Sequence, residues 1–390
     1  VDFQPTKLNE RINSIDIIRG FSLLGILLVN IFAFYLPMPY IDLQSWFTEA
    51  MDIIWHQTLD IYVQSSFYPL FSMIFGYGLA MQYMKAQINE TRFYPFASKR
   101  LVILFVLGML HAIFIWWGDI LATYAFCGFF LIMFIRYNSK ILLSIGLAIY
   151  GFMLAMMLLI FSLTGAANVE IDGIAVDLVA VESAITAYGI GDWGDAFMQR
   201  LNDLSLQMNP AMWITSLFTI LPYMLIGAAA AKWRLIERAK NLKVFWISIA
   251  VLSIAIGLTI KSAPFMFTRT YLLEYLKVYL GGPLLAVGYL ALLVCICMIP
   301  YSTKVLNPIG QVGRMSLTIY IMQSIICTVL FYDFGFGLYG HINVQLGVLI
   351  AVAIFIAQII FALIWFMKFK QGPLEAAVKK IIYRKILSEK

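Results

Sequence analysis

The chain has 390 residues, 62% hydrophobic and only 12% charged, with 15% aromatics and a mean hydropathy of +0.87. Soluble domains carry about a quarter charged residues, so a soluble enzyme, a disordered chain, a coiled coil, collagen and a disulfide scaffold are all excluded. The formal net charge of +6 raises nucleic acid as a partner until it is sorted by membrane side.

A helix crosses a bilayer with roughly 17 to 25 apolar residues. Ten such runs occur in chain order: 15–36, 61–84, 101–118, 121–137, 141–164, 209–231, 243–260, 278–299, 315–334 and 346–368. The first keeps Asp16 and Arg19 at its mouth and shows no small-residue cleavage site, so it reads as a retained helix. The third and fourth are separated by little more than Trp117-Gly118-Asp119, which predicts a tight hairpin. Residues 165–206 form the longest outer connection, a binding lid or a passive loop. At the end of the chain, 372–390 reads as a basic amphipathic helix on the inner membrane surface. There Leu374, Val378, Ile381, Ile382 and Ile386 recur among Lys379, Lys380, Arg384 and Lys385.

Alternating the loops from a cytoplasmic N-terminus leaves all but four of the 27 Lys and Arg inside, the exceptions being Arg200, Lys261, Arg269 and Lys277. That bias orients membrane proteins. The expectation is an all-α polytopic protein, one integral membrane domain over 1–390, with ten transmembrane helices and both termini cytoplasmic. Anionic inner-leaflet lipid then accounts for the net charge, and nucleic acid is not needed. Cys127, Cys295, Cys297 and Cys327 lie in apolar runs and read as small buried hydrophobes rather than bridges.

Ionisable groups inside a span are costly and ask for a partner, a cavity or a function. Arg11, Asp16 and Arg19 cluster at the first inner boundary, with Asn30 further along the same run. Asp16 and Arg19 share a helix face. They read either as interfacial anchors or as a seat for phosphate, which guanidinium forks suit. A second cluster comprises Arg100, His111, Trp116, Trp117, Asp119 and Tyr124. Ten residues in from Leu101, His111 lies about 15 Å deep at the rise of an α-helix, near the midplane. Histidine is the side chain most readily tuned between acid and base near neutral pH. About 12 Å of continuous helix would separate it from Asp119, so a direct pair requires a break near Gly118. The alternative is a structural histidine bonded to a neighbouring helix. In the third cluster Ser316, Tyr320, Gln323 and Ser324 form one polar stripe behind Arg314, suited to interhelical hydrogen bonds or to ligand contact. His56 and His341 lack metal-ligand spacing, and no metal site is expected.

The stretches Ser14 to Ile31, Phe71 to Gly78, Leu107 to His111, Trp117 to Leu121, Gly313 to Ser324 and Gln371 to Glu375 together resemble the YeiB-type bacterial membrane family, also described as domain of unknown function 418. The resemblance runs nearly end to end and is weak only over 165–206. The family is grouped with transmembrane acyltransferases, which include heparan-α-glucosaminide N-acetyltransferase and the sugar O-acetylases. This implies a multi-pass bundle of about ten helices in the bacterial cytoplasmic membrane. It also implies acyl-CoA as donor on the inside and a hydroxyl or amine acceptor on a sugar, lipid or small metabolite on the outside. A membrane-embedded histidine would carry the transfer. The sugar O-acetylases place that histidine near the end of the first span, where this chain has Asn30, and here His111 takes the role by its depth. On that reading His111, Asp119 and Tyr124 are catalytic. Arg11, Asp16, Arg19, Arg100 and Arg314 bind the donor, and Asn30, Trp117, Ser316, Tyr320 and Gln323 line the passage. The alternative is a transporter of a small metabolite or lipid without acyl transfer. The oligomeric state stays open, a homodimer being one option.

Overall fold

The computed structural model describes residues 12–171 and 176–382. Arg11 and the tail residues Arg384, Lys385 and Ile386 lie outside them. Among the described residues the protein is helical, apart from one isolated bridge between Glu170 and Thr270. The first half comprises α1 (Asn13–Tyr35), α2 (Leu43–Trp46), α3 (Ala50–Tyr62), α4 (Phe67–Ile88), α5 (Phe93–Phe114), α6 (Leu121–Phe134), α7 (Ser139–Thr164), α8 (Leu178–Gly189) and α9 (Trp193–Gln207). The second comprises α10 (Pro210–Thr219), α11 (Leu221–Lys232), α12 (Lys243–Met266), α13 (Tyr271–Leu276), α14 (Gly282–Met298), α15 (Ser302–Val305), α16 (Asn307–Arg314), α17 (Ser316–Phe331), α18 (Val344–Lys368) and α19 (Pro373–Ile382). A π-helical turn, Lys277–Gly281, joins α13 to α14.

Among the described residues, seven helical stretches are long and apolar enough to cross a membrane: α1, α5, α7, α10 with α11, α12 with its leading turn, α13 through α14, and α18. The pair α16 and α17, bent by 86°, would make an eighth. The remaining runs expected as spans are helical but fall short for physical reasons. Helix α6 has 14 residues and α17 has 16, less than the thickness of the hydrocarbon core at the α-helical rise. Helix α4 has 22, but its tyrosines, serine, glycines and glutamines dilute its hydropathy. Local signals set several boundaries. Helix α7 starts where the Asn138 side chain accepts from Ile141 N at 2.9 Å, and it stops at Gly165, whose φ of 71° favours glycine.

Two crossings hold the bundle by close backbone approach. Where α4 meets α11, a Cβ on Gly76 would lie 2.0 Å from the Met224 carbonyl oxygen, and one on Gly227 would lie 1.9 Å from that of Met73. Where α1 meets α16, a Cβ on Gly313 would lie 1.9 Å from the Asp16 carbonyl oxygen. Small residues at such contacts supply the packing that drives helix association in lipid.

The expected outer connection, 165–206, is built mainly of α8 and most of α9, which lie at the end of the bundle where α1 finishes. All four basic residues that break the charge bias are tied to partners. Arg200 donates to backbone carbonyls of α5, Lys261 to the Gln64 carbonyl, Arg269 to Asp42 and Lys277 to Asp60. Arg269 grips both oxygens of Asp42, at 2.9 and 3.2 Å, and also reaches Glu274 at 2.9 Å. Burial pushes the Asp42 carboxyl up, but the Arg269 guanidinium outweighs it and holds the group below the usual carboxylate range. A folded-state value below the unfolded one contributes stability above the unfolded value, and that contribution disappears as pH falls through the folded value. Arg269→Gln is therefore expected to lower stability at pH 7 by about 2 kcal/mol, with the deficit shrinking in acid. Thermal midpoints of variant and parent at both pH values check this, and an equal deficit at both would contradict it.

Candidate functional site

Helix α5 ends at Phe114, and residues 115–120 turn the chain back into α6. Gly118 allows the turn, because a Cβ there would lie 2.3 Å from the Trp116 indole. The break folds Asp119 against the helix it has just left, and His111 Nδ1 lies 2.9 Å from Asp119 Oδ1. The other oxygen, Oδ2, accepts from Ala122 N at 2.7 Å in the first turn of α6. Gly108, one turn before the histidine, leaves room: a Cβ there would lie 2.3 Å from Ala122 N and 2.8 Å from Asp119 Oδ2. Tyr320 of α17 completes the group. Its hydroxyl accepts from Ile120 N at 3.1 Å and donates to Asp119 Oδ1 at 3.4 Å, and its ring lies 5.2 Å from the imidazole.

A carboxylate only accepts, so the neutral imidazole that pairs with one carries its proton on Nδ1 and its lone pair on Nε2. Nε2 is buried and has no hydrogen-bond partner among the described residues. The residue is 2% exposed.

A cavity of about 360 Å³ opens at the end of the bundle that carries Arg19, Arg100, Arg314 and Lys379, all four of which line it. Its walls then turn aromatic and apolar, and Leu104, Ile120, Tyr124 and Tyr320 line it towards the hairpin. Helix α19 forms part of the wall. Glu375 fixes it there by accepting from Leu317 N at 2.8 Å, Thr318 N at 3.1 Å and Thr318 Oγ1 at 2.6 Å, at the N-terminus of α17.

Among the residues singled out in the sequence, the cavity brings together Arg19, Arg100, Arg314, Ser316, Tyr124 and Tyr320. Arg19 pairs with Asp16 at 3.1 Å, Arg100 donates to Gln82 Oε1 at 2.8 Å, and the Arg314 guanidinium lies 4.2 Å from the Phe366 ring centre. Tyr124 donates to the Tyr68 carbonyl at 2.8 Å. Asp16 lines a smaller polar pocket, of about 170 Å³, which it shares with Arg314. Asn30 and Trp117 are half-buried and off the cavity wall, and Gln323 is turned to Gln358 Oε1 of α18 at 3.0 Å. His111 and Asp119 do not line the cavity either: they sit behind Tyr320, which belongs to both groups. Gln207, whose Nε2 donates to the Asp119 carbonyl at 3.1 Å, joins the group without any mark in the sequence. It stands 88 residues away in sequence, and no local pattern marks it.

Residues 230–385 match the family model described as Protein of unknown function (DUF418). Over 391 residues the chain is 33% identical to "Uncharacterized protein YxaH" of Bacillus subtilis (strain 168), covering 95% of this chain and 94% of that protein. The chain belongs to the DUF418 family. It is also 28% identical over 391 residues to "Uncharacterized protein YeiB" of Escherichia coli (strain K12), covering 96% and 97% of the two chains. A further relative is "Uncharacterized 39.9 kDa protein in amylase 3'region" of Bacillus acidopullulyticus, 25% identical over 400 residues, covering 98% and 96%. The matched part of this DUF418 protein contains α16 to α19 and with them Arg314, Ser316, Tyr320 and Glu375, whereas His111 and Asp119 precede it.

Proposed function

We propose that this DUF418 protein is a bacterial cytoplasmic-membrane acyltransferase, moving an acyl group from cytoplasmic acyl-CoA to a hydroxyl or amine of a sugar, lipid or small metabolite at the outer side. The observation that carries the reading is the His111–Asp119 pair at 2.9 Å, held against a tyrosine that also walls the basic-mouthed cavity. Asp119 fixes the imidazole so that Nε2 is the free base. In the reaction, Nε2 takes the proton of the acceptor as its oxygen or nitrogen attacks the thioester carbonyl. The C–S bond breaks and the proton passes to the departing thiolate, giving the acylated acceptor and free CoA thiol.

The cavity suits the donor. Guanidinium groups of Arg19, Arg100 and Arg314 with Lys379 provide for phosphates, and the aromatic interior provides for a thin acyl-bearing arm. About 360 Å³ admits that arm and leaves the nucleotide at the mouth. Because His111 lies behind Tyr320, the acyl group reaches it only when Tyr320 swings away, giving up its hydrogen bonds to Asp119 Oδ1 at 3.4 Å and from Ile120 N at 3.1 Å. The charge bias of the loops supports cytoplasmic termini on this reading, and a homodimer is compatible with it. Replacing Arg19 and Arg100 together by glutamine is expected to weaken acetyl-CoA binding about ten- to a hundredfold, the worth of one or two charge-assisted hydrogen bonds. A calorimetric titration of purified protein measures this, and unchanged affinity would remove the cavity as donor site.

One observation favours a carrier instead. The 86° break between α16 and α17 places Ser316 and Leu317, at the start of α17, in the wall of the charged cavity, and discontinuous helices line the binding sites of transporters. A carrier would move its ligand across vesicles and leave the thioester intact.

A further inference from the structure

The hairpin that pairs His111 with Asp119 has no rigid element of its own between Phe114 and Leu121, yet both ends of that stretch are gripped from outside by α9. Arg200, 1% exposed, donates from Nη1 to the carbonyls of Ile113 at 3.3 Å and Phe114 at 3.0 Å. These belong to the last turn of α5, where a cation satisfies orphan carbonyls and opposes the negative end of the helix dipole. Two turns further along α9, Gln207 Nε2 donates to the Asp119 carbonyl at 3.1 Å. Seven residues apart, the two side chains share one helix face. Between them Asp203, also buried, accepts from Tyr40 at 2.6 Å and Tyr188 at 2.7 Å, which ties α9 to α8 and to the segment that follows α1.

We propose that α9 is a positioning element for the His111–Asp119 pair, with Arg200 and Gln207 holding the two ends of the break so that the carboxylate stays on Nδ1. The inference rests on the acyl-transfer reading for its consequence, since a base must keep one tautomer to act, but its geometry is independent of any substrate. It also gives the expected outer lid a different role: a clamp that reaches down to the hairpin.

The full chain carries three histidines, so protein labelled with ¹⁵N at histidine gives separate ring signals for His111, His56 and His341. In the parent, His111 is expected in the Nδ1–H form. In Gln207→Leu and in Arg200→Met the Nδ1–H to Nε2–H ratio at His111 should fall roughly fivefold, the worth of one hydrogen bond, with His56 and His341 unchanged. Where Arg200→Met does not accumulate, Gln207→Glu at pH 8 decides, because its carboxylate has the same size and no donor. An unchanged His111 signal in the Gln207 variants, or an equal change at all three histidines, overturns the proposal. A shifted ratio in a protein that proves unable to bind or cleave acetyl-CoA keeps the clamp and discards the acyl-transfer reading.

Discussion

His111→Ala is expected to reduce acyl transfer by about a hundred- to ten-thousandfold, the usual worth of a positioned general base, while the protein still accumulates in the membrane. Accumulation is expected because Asp119 keeps its other partners: Ala122 N at 2.7 Å and the Tyr320 hydroxyl at 3.4 Å remain, so truncating the imidazole does not strand a carboxylate in the bundle. Asp119→Asn separates orientation from basicity. An asparagine can present an amide N–H to Nδ1 and so favour the wrong tautomer, with the lone pair facing the hairpin. Its effect on transfer should approach that of His111→Ala, although the ring itself is intact. If Asp119→Asn transfers at the parent rate while His111→Ala does not, the histidine acts without its carboxylate and the dyad is not the device. Steady-state release of CoA thiol by the three proteins makes the comparison.

The largest effect on stability is expected at the crossing of α4 and α11. In Gly227→Leu the new Cβ would meet the Met73 carbonyl oxygen at 1.9 Å, a backbone atom that cannot move without displacing α4. Overpacking a close helix contact costs about 3 kcal/mol, and the same helix carries Phe71, Phe75 and Gly78 of the cavity wall. The variant should therefore lose both thermal stability in detergent and donor binding. Gly151→Leu is the control, since nothing lies within 4 Å of a Cβ there. A thermal midpoint for Gly227→Leu equal to that of Gly151→Leu would show that the two helices can separate freely.

Composition and hydrophobic run length make the helical class and the membrane setting legible in the sequence. The hairpin at Trp117 to Asp119 was legible too, because Gly118 interrupts an apolar run too long for one span. Span count was less so. Run length registers apolar residues but not where a helix ends, and α6 and α17 stop after 14 and 16 residues. The condition for a direct pair, a break near Gly118, could be written from the α-helical rise alone, but whether the break closes depends on Arg200 and Gln207. Those residues sit 80 or more positions away on α9, most of which falls in the segment whose sequence suits a binding lid or a passive loop equally. The stripe from Ser316 to Ser324 was legible as a stripe, but its division was not. Ser316 and Tyr320 line the cavity, while Gln323 spends its amide on Gln358, a partner on α18 that no periodicity within α17 reveals. The amphipathic pattern of the tail is legible in the sequence, but the docking of Glu375 on the start of α17, which brings α19 into the cavity wall, is not.

The most direct test of acyl transfer uses native membrane vesicles containing the protein, which supply lipid and glycan acceptors, with acetyl-CoA labelled in the acetyl group. Vesicles with the parent protein are predicted to release CoA thiol in step with label entering a membrane-bound acceptor, and those with His111→Ala to do neither. A thioester that stays intact with the parent protein, or equal release from the His111→Ala vesicles, would contradict the account.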